Sequence, residues 1–284
     1  MERVIGPVGG KLLRESPSTG TFFIDSMFPI PVGDGQIIAT AQSADNPMFV
    51  ILRPNGRLEL LSAAVETDRI VIDEAQSDLE NATVVTAAMT EQLIAVATDS
   101  KVVVISHSHR MPQTPTWLLM GRDAVSFLRF TPDRKQLICG HASGRVNTVD
   151  LHMGTLAPIP KSNMELVPAA ADPKPSDRVR AALCLPQQHV LVVTCNQVQL
   201  WSPAGPSMNV KAIKPPSGVG QLRDCLCLRA QLFILCDFAV WHLKHRRRSE
   251  KAKLTRCVGS YGWTFNVAGL TVWRTPNAPQ TIKV

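Results

Sequence analysis

The 284-residue chain has 45% hydrophobic and 19% charged side chains, a balance that excludes a disordered chain and implies a sizeable buried core. No apolar run approaches the roughly 20 residues needed to cross a bilayer, and MERVIGPVGGKLLRESPSTG has no apolar stretch behind its charges, so neither a membrane helix nor a secretory leader is expected. The formal net charge is +7, and much of the excess gathers in KHRRRSEKAK, Lys244 to Lys253, where local potential favours encounter with polyanions.

Short apolar runs separated by polar turns follow one another along the chain. KLLRE and TFFID, within the first 35 residues, read as strands that close the structure by pairing with the last ones. IIATAQ, MFVILR, RLELLS and RIVID occupy Ile37 to Asp73, with RPNGR as a sharp turn. ATVVTAAM, QLIAVAT, KVVVIS and TWLLM follow from Ala82 to Met120. The next unit is the clearest. AVSFLRF is a strand, TPDRK a turn built on Pro132 and Asp133, QLICG a strand buried on both faces, and HASG a turn closed by Gly144. RVNTVDL alternates with period two, as a strand with one covered face does, and TLAPI (Thr155 to Ile159) is read as the fourth strand.

VRAALCL, HVLVVT, QVQLWS and MNVKAI then span Val179 to Ile213, and DCLCL, QLFILC, FAVWHL and KLTRCV span Asp224 to Val258. WTFNVA and LTVWRT begin a further unit. Trp201, Trp241 and Trp273 recur at the third strand of the later units. A spacing of about 40 residues between four-stranded meanders is that of propeller blades, in which each sheet buries its faces against its neighbours. A two-domain α/β enzyme would need amphipathic helices between the strands. Helical periodicity is scarce and proline or glycine punctuates almost every interval.

FTPDRKQLICGHASGRVNTVDL resembles a WD40 repeat. TPDRK stands where that family often has a Ser-Pro-Asp-Gly turn, and ASGRV where it often has an Asp-Gly-Thr turn. No unit carries the complete Gly-His to Trp-Asp signature, and His141 lies in a different turn from the family's structural histidine. The resemblance implies an all-β, WD40-like β-propeller of four-stranded antiparallel blades, six or seven in number, with the ring closed by pairing of the N- and C-terminal segments. Residues 1–284 are then one domain, with 1–35 as the closing segment and 160–177 as a proline- and alanine-rich inter-blade loop. Within PIPKSNMELVPAAADPKPSD (Pro158 to Asp177), small residues and prolines imply a flexible protrusion able to dock a partner.

The basic run is the main candidate contact: Lys244, Arg246, Arg247, Arg248, Lys251 and Lys253 are placed to meet phosphates or a protein partner, or to serve as an import signal. A solvated loop is the plain alternative. His107 and His109 in HSHR lack further ligands at metal-site spacing. Cys225 and Cys227 share one side of a strand, within reach of Cys236 on the next, but flanking leucines make them core residues. GPVGG lacks the strand, spacing and helix of a phosphate-binding loop. Asp25, Asp34, Asp73 and Glu74 read as turn residues. Seven cysteines, Cys139, Cys184, Cys195, Cys225, Cys227, Cys236 and Cys257, lie mostly in apolar runs without paired spacing, as in a reducing compartment, nucleus or cytoplasm.

No catalytic, cofactor or metal constellation is read. The expected role is a non-enzymatic scaffold or adaptor subunit of an intracellular multiprotein complex, binding protein partners through rim loops. AVATDSKVVVIS and DAVSFLRFTPDRKQLICGHASGRVNTVDL also resemble consecutive blades of the WD-repeat subunit of tRNA guanine-N7 methyltransferase. That resemblance implies a nuclear, non-catalytic subunit stabilising a methyltransferase. Direct RNA contact through residues 244–253 is the third reading, and no membrane partner is expected.

Overall fold

The computed structural model describes residues 3–8, 11–16, 21–24, 28–30, 34–41, 48–62, 69–72, 79–90, 92–99, 101–106, 116–119, 123–151, 164–204, 207–215, 217–228, 231–236, 239–243, 253–256, 262–266, 269–275 and 278–282. Among them, strands follow in chain order as separate antiparallel meanders. The first sheet is β1 (Arg3–Val8), β2 (Lys11–Ser16), β3 (Thr21–Ile24) and β4 (Phe28–Ile30). The second is β5 (Gln36–Ala41), β6 (Met48–Leu52), β7 (Leu58–Ser62) and β8 (Arg69–Ile72), and the third β9 (Val84–Met89), β10 (Leu93–Thr98), β11 (Lys101–Ser106) and β12 (Thr116–Leu119). Next come β13 (Val125–Phe130), β14 (Gln136–His141), β15 (Val146–Asp150) and β16 (Met164–Val167), then β17 (Val179–Cys184), β18 (Val190–Thr194), β19 (Val198–Ala204) and β20 (Ser207–Ile213). β21 (Leu222–Leu228), β22 (Gln231–Cys236), β23 (Ala239–Leu243) and β24 (Lys253–Arg256) form the sixth sheet. β25 (Gly262–Asn266), β26 (Gly269–Thr275) and β27 (Ala278–Ile282) form a three-stranded seventh.

Packing divides the chain into two compact units, Met1–Val96 with Val103–Thr116 and Gly259–Val284, and Ala97–Val102 with Trp117–Val258. In the first, β1 lies beside β25 and β5 beside β9. In the second, β17 packs against both β13 and β21, so first strands of consecutive sheets adjoin.

The burial pattern explains why these sequences form these sheets. Second strands are covered on both faces: LIAVAT of β10 and VLVVT of β18 are buried at every position, as continuous apolar runs require. In the second unit one apolar cluster runs from sheet to sheet through Phe127, Ile138, Val179, Val192, Cys225 and Trp241. A bulge recurs near the start of the first strand in five sheets, at Val4/Gly6, Ile37/Ala39, Val125/Phe127, Val179/Ala181 and Leu222/Asp224. Each inserts one residue, bends the strand and increases its twist at the same place. The inserted residue is a backbone device with no composition cue, and the sequence did not reveal it.

Several expectations need correction. Thr155–Ile159 lies outside the described residues, and the fourth strand of its sheet is Met164–Val167, paired with β15. Pro158 within TLAPI has no N–H for a ladder, whereas MELV has no proline. Residues 160–177 are therefore not one loop. β15 is buried along Val146–Val149 rather than on one face only, with Asn147 and Thr148 inside. Trp273 sits on β26, the second strand of its sheet, not a third strand. Finally, β2 and β3 pair within the first sheet, between β1 and β4, and not with the last strands.

Close approach between sheets is clearest at Gly140. A Cβ there would lie 2.4 Å from Val179 Cγ1 and 2.8 Å from Val179 Cβ, on the first strand of the next sheet. Gly140→Ala should therefore destabilise the protein by about 1–3 kcal/mol through overpacking. Urea unfolding measures this, and pairing the change with Val179→Ala should recover part of the loss.

Candidate interaction surfaces

The starts of β13 and β17 stand side by side, since the Ser126 hydroxyl donates to Val179 O at 2.8 Å. One end of these two sheets therefore gathers the β14–β15 and β18–β19 turns and the segment entering β17. The opposite end gathers the β13–β14 and β17–β18 turns. Between the ends, Arg129 reaches from β13 to β21, donating from Nη1 to Cys225 O at 2.8 Å and from Nη2 to Asp224 Oδ1 at 2.5 Å. Its guanidinium carbon also lies 5.1 Å from the Phe127 ring centroid.

The first end is braced by polar side chains. His141 is fully buried at the close of β14, with Nε2 2.5 Å from Asn147 Oδ1 and Nδ1 3.0 Å from Asp123 O. Ser143 donates its hydroxyl to the Asp123 carboxylate, and Arg145 Nε lies 3.3 Å from Asp123 Oδ2. Gly144, at φ +87°, makes the turn. An enclosed imidazole held this way fixes a turn and has no route to a substrate. The chain from Pro168 to Asp177 crosses this end as a fastened strap: Ala170 N–H donates to Ser143 O at 3.1 Å, and Cys195 N–H to Ser176 O at 3.2 Å. The flexible protrusion expected there is replaced by a pinned segment, because its backbone groups find partners on two successive sheets. Pro168, Ala169 and Ala171–Pro175 remain exposed along it.

The second end is built on turns. In TPDRK the Thr131 hydroxyl donates to Asp133 Oδ1 at 2.6 Å and accepts from Gln136 N–H at 3.0 Å, while Lys135 N–H donates to Asp133 Oδ1 at 3.1 Å. These bonds hold the Asp133 carboxyl below its ordinary pKa, the Thr131 hydroxyl contributing most and the Lys135 N–H next. Arg134 follows at φ 59°, and in the β17–β18 turn Gln187 and Gln188 stand at 61° and 60°. They are the positive-φ non-glycine residues among the described ones, and each such conformation costs about 1–2 kcal/mol. Arg134 was legible, since it occupies the place of a turn glycine. PQQH carries no comparable signal.

Lys244, Arg246, Arg247, Arg248 and Lys251 lie outside the described residues. Lys253 opens β24, its backbone paired with His242. His107, His109, Asp25, Asp73 and Glu74 also lie outside them. Asp34 accepts a hydrogen bond from Arg53 at 3.0 Å, and Arg53 also grips the buried Glu59, so it serves a turn. Gly6 is part of β1. Cys236 is paired with Leu222 rather than set beside Cys225 or Cys227. Burial pushes the Cys225 and Cys139 thiols up to about 12, which keeps them neutral at physiological pH. Among the described residues, no three His, Cys, Asp or Glu side chains are grouped to hold a metal, and no helix is long and apolar enough to cross a membrane.

Because the native Asp133 pKa is depressed, its contribution to stability is full above the unfolded value and fades as pH falls through the native one. The stability difference between wild type and Asp133→Asn should thus be largest near neutrality and shrink in acid, as chemical denaturation across pH would show.

No protein-family model matches the sequence, and no curated protein matches it. Solved structures do. PorZ, an essential surface component of the type-IX secretion system of Porphyromonas gingivalis, superposes with a TM-score of 0.61 at 11% identity, covering 99% of this chain and 36% of that one, so this chain spans little more than a third of PorZ. The β-propeller domain of Cps50 (Swd1) from Myceliophteria thermophila gives 0.59 at 8% identity, over 99% of this chain and 93% of that one. A chain of the Mitotic Checkpoint Complex gives 0.59 at 12% identity, over 92% and 78%. Identities this low speak to architecture alone, and the match to the Cps50 (Swd1) domain is a match to a β-propeller.

Proposed function

We propose that the chain is a non-enzymatic scaffold, a single propeller of seven blades that holds protein partners at the ends of its sheets within an intracellular complex of the nucleus or cytoplasm. Seven separate sheets among the described residues favour seven blades over six. The neighbourhood of β1 and β25 favours closure by packing of the first sheet on the last, without exchange of strands.

The observation that carries the scaffold reading is the strap at residues 168–177. It exposes a run of side chains while backbone bonds to Ser143 and Cys195 hold it to two sheets. A loop fixed before binding loses little conformational entropy on docking, and a rigid ring sets several such loops in constant relation. Among the similar structures, that of Cps50 (Swd1) is a β-propeller domain and another is a chain of the Mitotic Checkpoint Complex, which accords with this reading. Residues Lys244, Arg246, Arg247, Arg248, Lys251 and Lys253 are proposed as a second contact, electrostatic in character.

A more specific reading makes the partner a tRNA guanine-N7 methyltransferase. It is supported by the stretch that carries the resemblance, which falls on two consecutive four-stranded sheets, β9–β12 and β13–β16. Affinity purification from cells tests both. Stoichiometric protein partners, lost on replacing Pro168–Pro173 by a Gly/Ser segment, are expected. A methyltransferase among them would select the second reading, and recovery of the chain alone would contradict both.

A further inference from the structure

Within the strap, Ala171, Asp172, Pro173, Lys174 and Pro175 are exposed in one unbroken run. Proline sets its conformation. Pro173 and Pro175 fix their own φ, and each disfavours the helical region for the residue before it, which holds Asp172 and Lys174 extended. Lys174 stands at φ −107° and ψ 156°, as this requires. Both flanks are fastened. Ala170 N–H is bonded to Ser143 before the run, and after it Asp177 N–H donates to Lys174 O at 2.9 Å and Cys195 N–H holds Ser176.

The hydrogen-bonding groups of the run decide what can dock on it. Pro173 and Pro175 have no N–H, and the Lys174 N–H is spent on Asp177 Oδ2 at 2.9 Å. Neither edge of the extended run therefore keeps two successive backbone donors, which excludes a partner that adds a β-strand. On the acceptor side, the carbonyls of Ala171, Asp172 and Pro173 take no hydrogen bond among the described residues. Asp172 and Lys174 carry opposite charges, so the run offers no field to a polyanion or a polycation. What it presents is two pyrrolidine rings, a methyl group and a row of unfilled acceptors. The complementary surface is an aromatic groove. Tryptophan and tyrosine rings cover prolines, and their N–H and O–H groups donate to the carbonyls between. Because the extended form is already fastened at both flanks, docking orders little more of the chain.

We infer that Ala171–Pro175 is the ligand of a proline-reading domain, a protein partner whose groove is lined by tryptophan and tyrosine. The domain is one of the partners that the scaffold reading requires, and the assignment rests on that reading.

Partners are recovered from cell extract on the immobilised full chain and compared between variants. Pro173→Ala with Pro175→Ala removes both rings, restores two N–H groups and keeps every carbonyl. Recovery of the strap's partner should fall about tenfold or more with the apolar surface of two rings gone. Persistent slow exchange of the Cys195 amide in this variant shows the strap still fastened. Asp172→Ala with Lys174→Ala should keep the partner, and soluble decaproline should release it from the unaltered chain. A photocrosslinking p-benzoylphenylalanine in place of Ala171 should mark a partner segment that contains tryptophan or tyrosine. The decaproline arm involves no substitution, so it decides the matter even where the double proline variant loosens the strap. Undiminished recovery by a fastened double proline variant, retention of every partner in decaproline, or a cross-link to a site without these aromatics would overturn the inference and leave the scaffold reading standing. Recovery of the chain alone would overturn both.

Discussion

Val179 sits where three strands meet. Its side chain fills the space that Gly140 leaves by having no Cβ, and its carbonyl takes the Ser126 hydroxyl from the preceding first strand. The fold rests on this kind of contact, in which one sheet supplies the cover another lacks. A four-stranded meander whose second strand is apolar on both faces cannot stand alone in water. Stacked on a neighbour, it buries both faces, and the roughly 25 cal/mol for each Å² of apolar surface removed from water drives the association. The recurrent bulge at the start of the first strands fits the same demand, since a bent and twisted strand can follow its neighbour around a turn.

Once sheet-to-sheet packing carries the stability, the polar bracing of each sheet is free to drift. In the sheet of β13–β16, Asp123, His141, Ser143, Arg145 and Asn147 hold one end together. In its neighbour, Trp201 Nε1 donates to Gln199 on its own strand at 2.9 Å. In the sheet after that, the buried Trp241 Nε1 makes no hydrogen bond among the described residues, nor does the buried Thr148 hydroxyl on β15. Each such orphan costs about 1–3 kcal/mol. These losses are tolerable only where apolar burial dominates locally, and Trp241 belongs to the large cluster that crosses three sheets. The same latitude extends to the turns, where left-handed arginine and glutamine persist in place of glycine and asparagine.

The sheets were legible in the sequence because they depend on short-range signals. Apolar runs such as QLIAVAT and HVLVVT, broken by TDSK, RPNGR or TPDRK, mark strand and turn without any tertiary information. What escaped detection depends on distant residues. Asn147 looked like the polar side of an alternating strand, yet it is buried because His141, six residues earlier, pairs with it across the hairpin. The fourth strand at Met164–Val167 lay hidden in a stretch whose prolines drew attention to flexibility. The strap's fixity arises from Ser143 and Cys195, far away in sequence. The arginine run stands out in the sequence through charge density, while the left-handed Gln187 and Gln188 are marked only by a backbone angle that no composition encodes.

Backbone amide hydrogen exchange tests the stacking of sheets most directly, because protection reports cover by neighbours. Mutual burial predicts that the slowest amides lie in the second strands, β10, β14, β18 and β22, and that the outer strands β16 and β20, where Met164 and Val210 are 55% and 52% exposed, exchange far sooner. Equal protection in outer and second strands, or slow exchange confined to one sheet, would contradict it.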